Sequence, residues 1–171
     1  MNDIMMMAGG SAALLAAVTP ALLPEETVVE RRTLVSADPA TVFALLQSSE
    51  GYQTFNPYCD TDPNLKIDFF GPADGIGAGF RFEGREGRGT QTIVALEENR
   101  RVEMEIDLGP MGCPRTTFTL EPHPDGGTEV VWSTVMAAGL NPLKRIFGLF
   151  ADRLLGPTYE RGLQNLHAAV A

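Results

Sequence analysis

Hydrophobic and polar residues alternate along the middle of the chain, where the pattern predicts a series of β-strands. The clearest alternation runs from 102 to 108, where the apolar positions are Val102, Met104, Ile106 and Leu108. Successive side chains of a strand point to opposite faces, so this segment predicts a strand with one buried and one wet face. Further strands are predicted at 28–35, 65–70, 79–83, 90–96, 115–121 and 128–136. The pattern predicts an antiparallel sheet of about six to seven strands.

Two regions follow a helical pattern instead. Asp38 and Pro39 are typical of a helix start, with the aspartate as N-cap and the proline in the first turn, and they predict a short helix over 40–47. A second short helical stretch is expected near the aromatic-rich turn that follows Gly51. A long helical region begins at Pro142. Because a sheet with one wet face must cover its other face, and only the helices are available, the chain is predicted to be α+β.

The N-terminal segment is apolar over residues 4–23, where twenty consecutive residues carry no charge. A transmembrane helix needs about twenty predominantly apolar residues, but a leader or a signal peptide cleaved near Ala21 stays open as an alternative. Arg31 and Arg32 lie beyond the segment, so the positive-inside rule leaves an anchored domain on the cytoplasmic side. Without insertion, the chain is predicted to be cytoplasmic. We therefore divide it into residues 1–27, a hydrophobic segment with a linker, and a domain over 28–171.

Composition excludes several classes of partner. The chain has 13 basic and 22 acidic residues, a net charge of −9, whereas nucleic-acid binding requires a clustered basic face. Cys59 and Cys113 are the only cysteines, and with two isolated histidines they make neither a disulfide framework nor a zinc site. A glycine-rich stretch over 75–89 leads into strand rather than helix, so it is interpreted as turns and bulges and not as a phosphate-binding loop. We predict no metal, no cofactor and no nucleic-acid partner.

The titratable residues do not point to a catalytic centre. Glu103, Glu105 and Asp107 occupy the wet face of their strand, away from Met104 and Ile106. His123 lies in a turn and His167 stands close to the C-terminus, and neither is predicted to take part in catalysis. No catalytic residue is predicted, and enzymatic activity stays open.

The chain contains, in this order, Val29-Glu30-Arg31, Ala37-Asp38-Pro39 with Val42-Phe43, Phe55-Asn56-Pro57-Tyr58, the glycines of 75–79, and the segments 127–133 and 156–163. This ordered set, which spans about 28–168, resembles the polyketide cyclase/dehydrase-like family of the START-like (SRPBCC) superfamily. The resemblance implies a helix-grip fold, in which a curved antiparallel sheet wraps a long C-terminal helix and leaves a cavity between them. Relatives usually carry a tryptophan where this chain has Phe55. Members of the family include aromatase/cyclases as well as lipid and hormone carriers, so function must be argued from the site.

A cavity of this kind is expected to be lined by the inward positions of the strands and by the long helix. The predicted ligand-binding residues are Phe55, Tyr58, Phe80, Phe82, Met104, Ile106, Phe118, Trp132, Thr134, Phe150 and Leu154. Tyr58 and Thr134 are the polar groups expected to orient a guest. We predict binding of a small hydrophobic or amphipathic molecule, lipid-like or polycyclic. The alternatives are a cyclase or dehydratase acting on a polyketide-like substrate and a membrane-tethered interaction module.

The C-terminal helical region changes its apolar face at Pro157. Before the proline the apolar stripe consists of Leu143, Ile146, Phe147, Phe150 and Leu154; after it, Tyr159, Leu163, Leu166 and Val170 lie on a nearly opposite face. A proline within a helix costs about 3 kcal/mol unless the helix kinks or restarts. We therefore predict a kink or break near 155–157, with 159–169 gripped by the sheet and 142–155 a looser helix at the cavity mouth. The alternative is a single bent helix whose stripe packs wholly into the core.

Overall fold

Seven antiparallel strands form one curved sheet in the computed structural model, which describes residues 23–171. In chain order the elements are β1 (Glu26–Val35), α1 (Pro39–Leu46), α2 (Ser49–Gln53), α3 (Pro57–Thr61), β2 (Lys66–Phe70), β3 (Gly79–Gly84), β4 (Gly87–Glu97), β5 (Arg101–Asp107), β6 (Arg115–Pro122), β7 (Thr128–Ala137) and α4 (Pro142–Ala169). The order across the sheet is β1-β7-β6-β5-β4-β3-β2. The predicted α+β, helix-grip architecture is confirmed.

The segment between β1 and β2 contains three short helices where two were expected. Ser48 Oγ accepts a hydrogen bond from Gly51 N at 3.2 Å and thereby caps α2. Asn56 Oδ1 does the same for α3 by accepting from Tyr58 N at 3.0 Å. Because these side chains satisfy backbone N–H groups that a helix start leaves open, the aromatic-rich turn becomes helical. Asp38 caps α1 as predicted.

The glycine-rich stretch forms turns, as predicted, but the irregularity in the sheet lies elsewhere. Gly75 and Gly77 adopt positive φ angles of 84° and 90° in the loop before β3, a region that favours glycine. Gly84 pairs with Gly87 at the hairpin between β3 and β4. The register shift lies between Ile93 and Ala95 of β4, at residues without special backbone freedom.

Helix α4 is continuous through Pro157, so a break near 155–157 is wrong, whereas a kink there stays a prediction. One face of the helix is buried along its length. Apart from Arg145, the residues buried on that face are small before the proline, and larger ones are buried after it. The first half buries Gly148 only partly and Ala151 fully, whereas the second half buries Tyr159 and Leu163. A Cβ atom at Gly148 would lie 2.2 Å from Thr27 Oγ1. Small residues therefore let α4 approach β1 closely.

The bulky stripe of the first half of α4 faces away from the sheet. Leu143 is 75% exposed and Phe150 is 54% exposed. The alternative in which this stripe packs wholly into the core is therefore also wrong. Within residues 23–171, no helix is long and apolar enough to cross a membrane. The predicted N-terminal segment, apart from Leu23, lies outside the described residues.

Candidate functional site

A partly open cavity of about 320 Å³ lies against the inner face of the sheet. Its wall comes from the inner positions of β3 to β7, from α2 and α3, and from one side of α4. Most of this wall is apolar, as in small-molecule sites generally. A depression of about 420 Å³ beside Phe43 and Asn99 is more open to solvent and less apolar. The cavity against the sheet is therefore the better candidate for a ligand site.

The structure brings six of the eleven predicted site residues to the cavity: Tyr58, Phe80, Phe82, Ile106, Trp132 and Thr134. Three others, Phe55, Met104 and Phe118, are buried in the core and are not part of the cavity wall. Phe150 and Leu154 correct the expectation, because both lie on the exposed side of α4. Phe147 and Leu155 line the cavity instead. The reason is the orientation of α4, whose small residues rather than its bulky stripe meet the sheet.

Trp132 lies in the cavity wall within a cluster of aromatic rings. Its ring stacks on Tyr159 with centroids 4.5 Å apart and an interplanar angle of 8°. Phe118 lies 4.8 Å away on the neighbouring strand, and Tyr52 and Phe55 make edge contacts. The indole is only 3% exposed. Its Nε1–H is buried and has no hydrogen-bond partner among residues 23–171.

Three hydroxyl groups form a buried chain in the same wall. Tyr159 Oη donates to Thr134 Oγ1 at 2.8 Å, and Thr134 Oγ1 lies 2.7 Å from Thr116 Oγ1. The two threonines are direct partners across β6 and β7. Sequence reasoning found Thr134 and missed the other two, because strand register decides that Thr116 stands opposite it. Each hydroxyl carries one proton, and the two contacts use two of the three.

Burial also acts on the phenols around the cavity. Burial raises the pKa of Tyr52, Tyr58 and Tyr159 above that of a free tyrosine, although the hydrogen bond to Thr134 partly offsets this for Tyr159. A buried phenol that loses its proton would carry an unscreened charge. These side chains are therefore protonated at neutral pH and act as donors or acceptors of hydrogen bonds rather than as bases.

Asp62 closes one side of the cavity by holding the hairpin between β3 and β4. Its Oδ2 accepts a hydrogen bond from Arg85 N at 2.6 Å, and its Oδ1 accepts one from Asn64 N at 3.0 Å. These backbone bonds hold the pKa of Asp62 below its usual range, because they favour the charged form. The carboxylate is thus a positioning group that accepts one backbone hydrogen bond on each of its oxygens.

We expect Asp62→Ala to loosen the hairpin at the cavity. Hydrogen exchange at the Arg85 amide should accelerate about tenfold or more, since that amide loses a hydrogen bond to a charged acceptor. The same amide of the unmodified protein should be protected above the pKa of an unfolded aspartate. Its protection should be lost as the pH falls through the lower folded pKa. Asp68→Ala, an exposed change on neighbouring β2, serves as control. Unchanged exchange at Arg85 in Asp62→Ala would contradict the assignment.

Other titratable groups lie away from the cavity. His123 sits in the turn between β6 and β7, and His167 Nδ1 lies 3.2 Å from Leu34 O near the end of α4. Within residues 23–171, no group of three or more His, Cys, Asp or Glu side chains is arranged to hold a metal ion. The cavity therefore offers hydrogen bonds and apolar contact, and its ionisable groups are phenols, Asp62 and the exposed pair Arg85 and Glu86.

Comparison with known proteins bears on both the fold and the family. A protein family described as polyketide cyclase / dehydrase and lipid transport matches residues 26–171. No curated protein matches the chain.

Solved structures share the fold at low sequence identity. A protein from Nitrosospira multiformis is 19% identical, with a TM-score of 0.60 over 84% of this chain and 96% of that one. Norcoclaurine synthase from Thalictrum flavum is 14% identical, with a TM-score of 0.63 over 85% and 93% of the two chains. The Aha1 protein from Colwellia psychrerythraea, solved as a dimer, is 17% identical with a TM-score of 0.57, covering 84% of this chain and 95% of its own. Likeness at these identities shows the fold alone.

Proposed function

Because the chain belongs to the polyketide cyclase / dehydrase and lipid transport family, we propose that its cavity binds a small amphipathic molecule with an apolar body and an oxygen-bearing end. The observation that carries the proposal is the hydroxyl chain of Thr116, Thr134 and Tyr159 inside a mostly apolar wall. An apolar enclosure with a few placed polar groups is the usual design of a small-molecule site.

The hydroxyl chain supports an oxygen acceptor on the ligand. Tyr159 donates to Thr134, and one further proton lies between Thr134 and Thr116. The third proton, on whichever threonine does not donate, has no partner among the hydrogen bonds of residues 23–171. The Nε1–H of Trp132 is a second donor without a partner. Since buried donors are nearly always satisfied, a carbonyl or hydroxyl oxygen of a guest fits this wall better than a hydrocarbon does.

The size of the cavity further limits the class of ligand that can bind. Pockets for small molecules usually measure about 300–1,000 Å³, and this cavity, at about 320 Å³, is at the lower end. A compact ring system or a single acyl chain is the class of ligand that fits. The aromatic rings of Phe80, Phe82 and Trp132 offer flat apolar contact, which favours a ring system.

Binding is better supported than catalysis. A cyclase or dehydratase needs an acid and a base whose pKa values lie near the working pH. The phenols in the wall have raised pKa values and Asp62 a lowered one, so these four groups are not suited to exchange protons readily at pH 7. A reaction on a polyketide-like substrate remains the alternative function.

Native mass spectrometry of the full chain, purified from its host, tests the proposal. We expect a co-purifying compound of low mass that organic extraction removes. Ile106→Trp, which fills the cavity, should abolish the adduct. Leu154→Trp introduces the same side chain outside the cavity and should keep it. Absence of any adduct, or an adduct that survives Ile106→Trp, would contradict binding in this cavity.

A further inference from the structure

An exposed apolar surface runs along the first half of α4. We call it the apolar face and define it as Leu140, just before the helix, with Leu143, Ile146, Phe147, Phe150 and Leu154. These side chains are between 43% and 89% exposed. Single exposed hydrophobic residues are ordinary, but a contiguous set of this size marks an interaction surface.

The apolar face is built into the fold rather than left by poor packing. Side chains at 143, 147, 150 and 154 share one side of a helix with 3.6 residues per turn. Gly148 and Gly156 lie away from these side chains and pack against Thr27 and Arg31 of β1, and Ala151 between them is fully buried. At Gly156 a Cβ atom would lie 2.0 Å from Arg31 Nη2. The helix therefore cannot rotate to bury its bulky side chains without driving them into β1.

Leu23, the last residue of the uncharged N-terminal segment, contacts the helix that carries this face. Its carbonyl oxygen accepts a hydrogen bond from Arg145 Nη1 at 3.0 Å. Arg145 is 5% exposed and also donates to Gly139 O at 2.6 Å and Glu25 Oε1 at 3.0 Å. Arg145 lies on the buried side of the first turn of α4, so Leu23 is held close to the start of the helix. About twenty uncharged residues, as in 4–23, match the thickness of a bilayer core.

The charge around the face also suits a lipid surface. The chain carries 22 acidic residues and a net charge of −9. The stretch from 137 to 151 nevertheless contains Lys144 and Arg145 and no acidic residue. The first acidic residue after it, Asp152, is paired with Arg31 at 2.7 Å. Arg145 is buried and paired with Glu25, and the apolar face itself carries no acidic side chain that anionic headgroups would repel.

The cavity opens toward the same side. Phe147 belongs to the apolar face and also lines the cavity. Met111, in the turn between β5 and β6, lines the cavity as well and is 62% exposed. The rim of the cavity is thus continuous with the apolar face.

We propose that the apolar face docks on a lipid bilayer, with the cavity mouth turned toward the membrane. Burial of leucine and phenylalanine side chains at the boundary between headgroups and acyl chains is the known means by which an amphipathic helix lies on a membrane. A bilayer then accounts for three features at once: the exposed apolar face, the position of Leu23 at the start of α4 and the apolar rim of the cavity. This inference does not rest on the identity or presence of a ligand.

The test uses the full chain with Cys59→Ser and Cys113→Ser, reconstituted into dioleoylphosphatidylcholine vesicles. Phe150→Cys carries an environment-sensitive fluorophore on the apolar face. Asp125→Cys carries the same label in the turn between β6 and β7, at the opposite end of the sheet from the first half of α4. We expect spin-labelled lipid to quench the label at 150 and aqueous iodide to leave it largely unquenched. The label at 125 should behave in the reverse way.

A second variant separates docking of the face from insertion of the segment. Leu143→Ser, Leu154→Ser and Phe150→Ser together remove the face without touching the cavity wall, and a label at Met111→Cys should then lose its protection from iodide. Trp132 emission reports whether this variant is folded. Iodide access at 150 in the vesicle-bound chain would overturn the proposal. So would protection of 150 from both quenchers, because the face would then be covered by residues 4–22 or by a second copy.

Discussion

Replacing Gly162 with alanine is expected to lower the free energy of unfolding by about 1–3 kcal/mol, the usual cost of adding a methyl group to a packed core. A Cβ atom at this position would lie 2.5 Å from Cζ3 of Trp132 and 3.2 Å from Cδ of Pro57. The indole cannot readily retreat, because it is held in the aromatic cluster and stacks on Tyr159. At an exposed helix position the same change would instead stabilise, by about 1 kcal/mol.

Urea denaturation and Trp132 fluorescence together measure this effect. Emission of the unmodified protein should be blue-shifted, since the indole is 3% exposed, and Gly162→Ala should alter it. Gln164→Ala, an exposed change two residues further along the helix, should stay within about 0.5 kcal/mol of the unmodified protein. If Gly162→Ala proves as stable as the parent chain with unchanged emission, the close packing of α4 against Trp132 is wrong.

The second large effect concerns the centre of the hydroxyl chain. Thr134→Val removes the acceptor for Tyr159 and the partner of Thr116 at once. The buried hydroxyl groups of Tyr159 and Thr116 then lose their hydrogen bonds to residue 134, at a cost of about 1–3 kcal/mol for each unsatisfied group. We therefore expect a loss of stability and a marked loss of the co-purifying ligand in native mass spectra. Thr117→Val, on the outer face of β6, is the matched control.

A triple variant distinguishes loss of hydrogen bonds from loss of shape. Thr116→Val, Thr134→Val and Tyr159→Phe together replace all three polar partners, so no member of the chain is left unsatisfied. Such a variant should be more stable than Thr134→Val alone, since removing both partners of a buried bond is often nearly neutral. It should also bind the oxygen-bearing ligand poorly. A triple variant less stable than the sum of the single changes would contradict the network.

Local sequence signals sufficed for the elements and for the class of fold. The alternation of Met104 and Ile106 with acidic residues, and the Asp38-Pro39 start of α1, each act through neighbours in the chain. The same logic placed Trp132 and Thr134 on one face of β7, and both line the cavity. Local signals did not predict α2 and α3 as two separate helices, because serine and asparagine side chains such as those of Ser48 and Asn56 can either cap a helix or form a turn.

The amino-acid sequence by itself determined the order of the strands along the chain, which of their faces are buried and the apolar character of the interior, because side-chain alternation depends on covalent geometry alone. Only the tertiary structure decided the rotation of α4. In the sequence, either side of α4 could be the buried one. Which side packs against β1 depends on where Gly148 and Gly156 let the backbone approach Thr27 and Arg31. That choice exposes Phe150 and Leu154 and brings Phe147 and Leu155 to the cavity. The pairing of Thr116 with Thr134 was likewise decided in three dimensions, because strand register is a contact between residues distant in the chain.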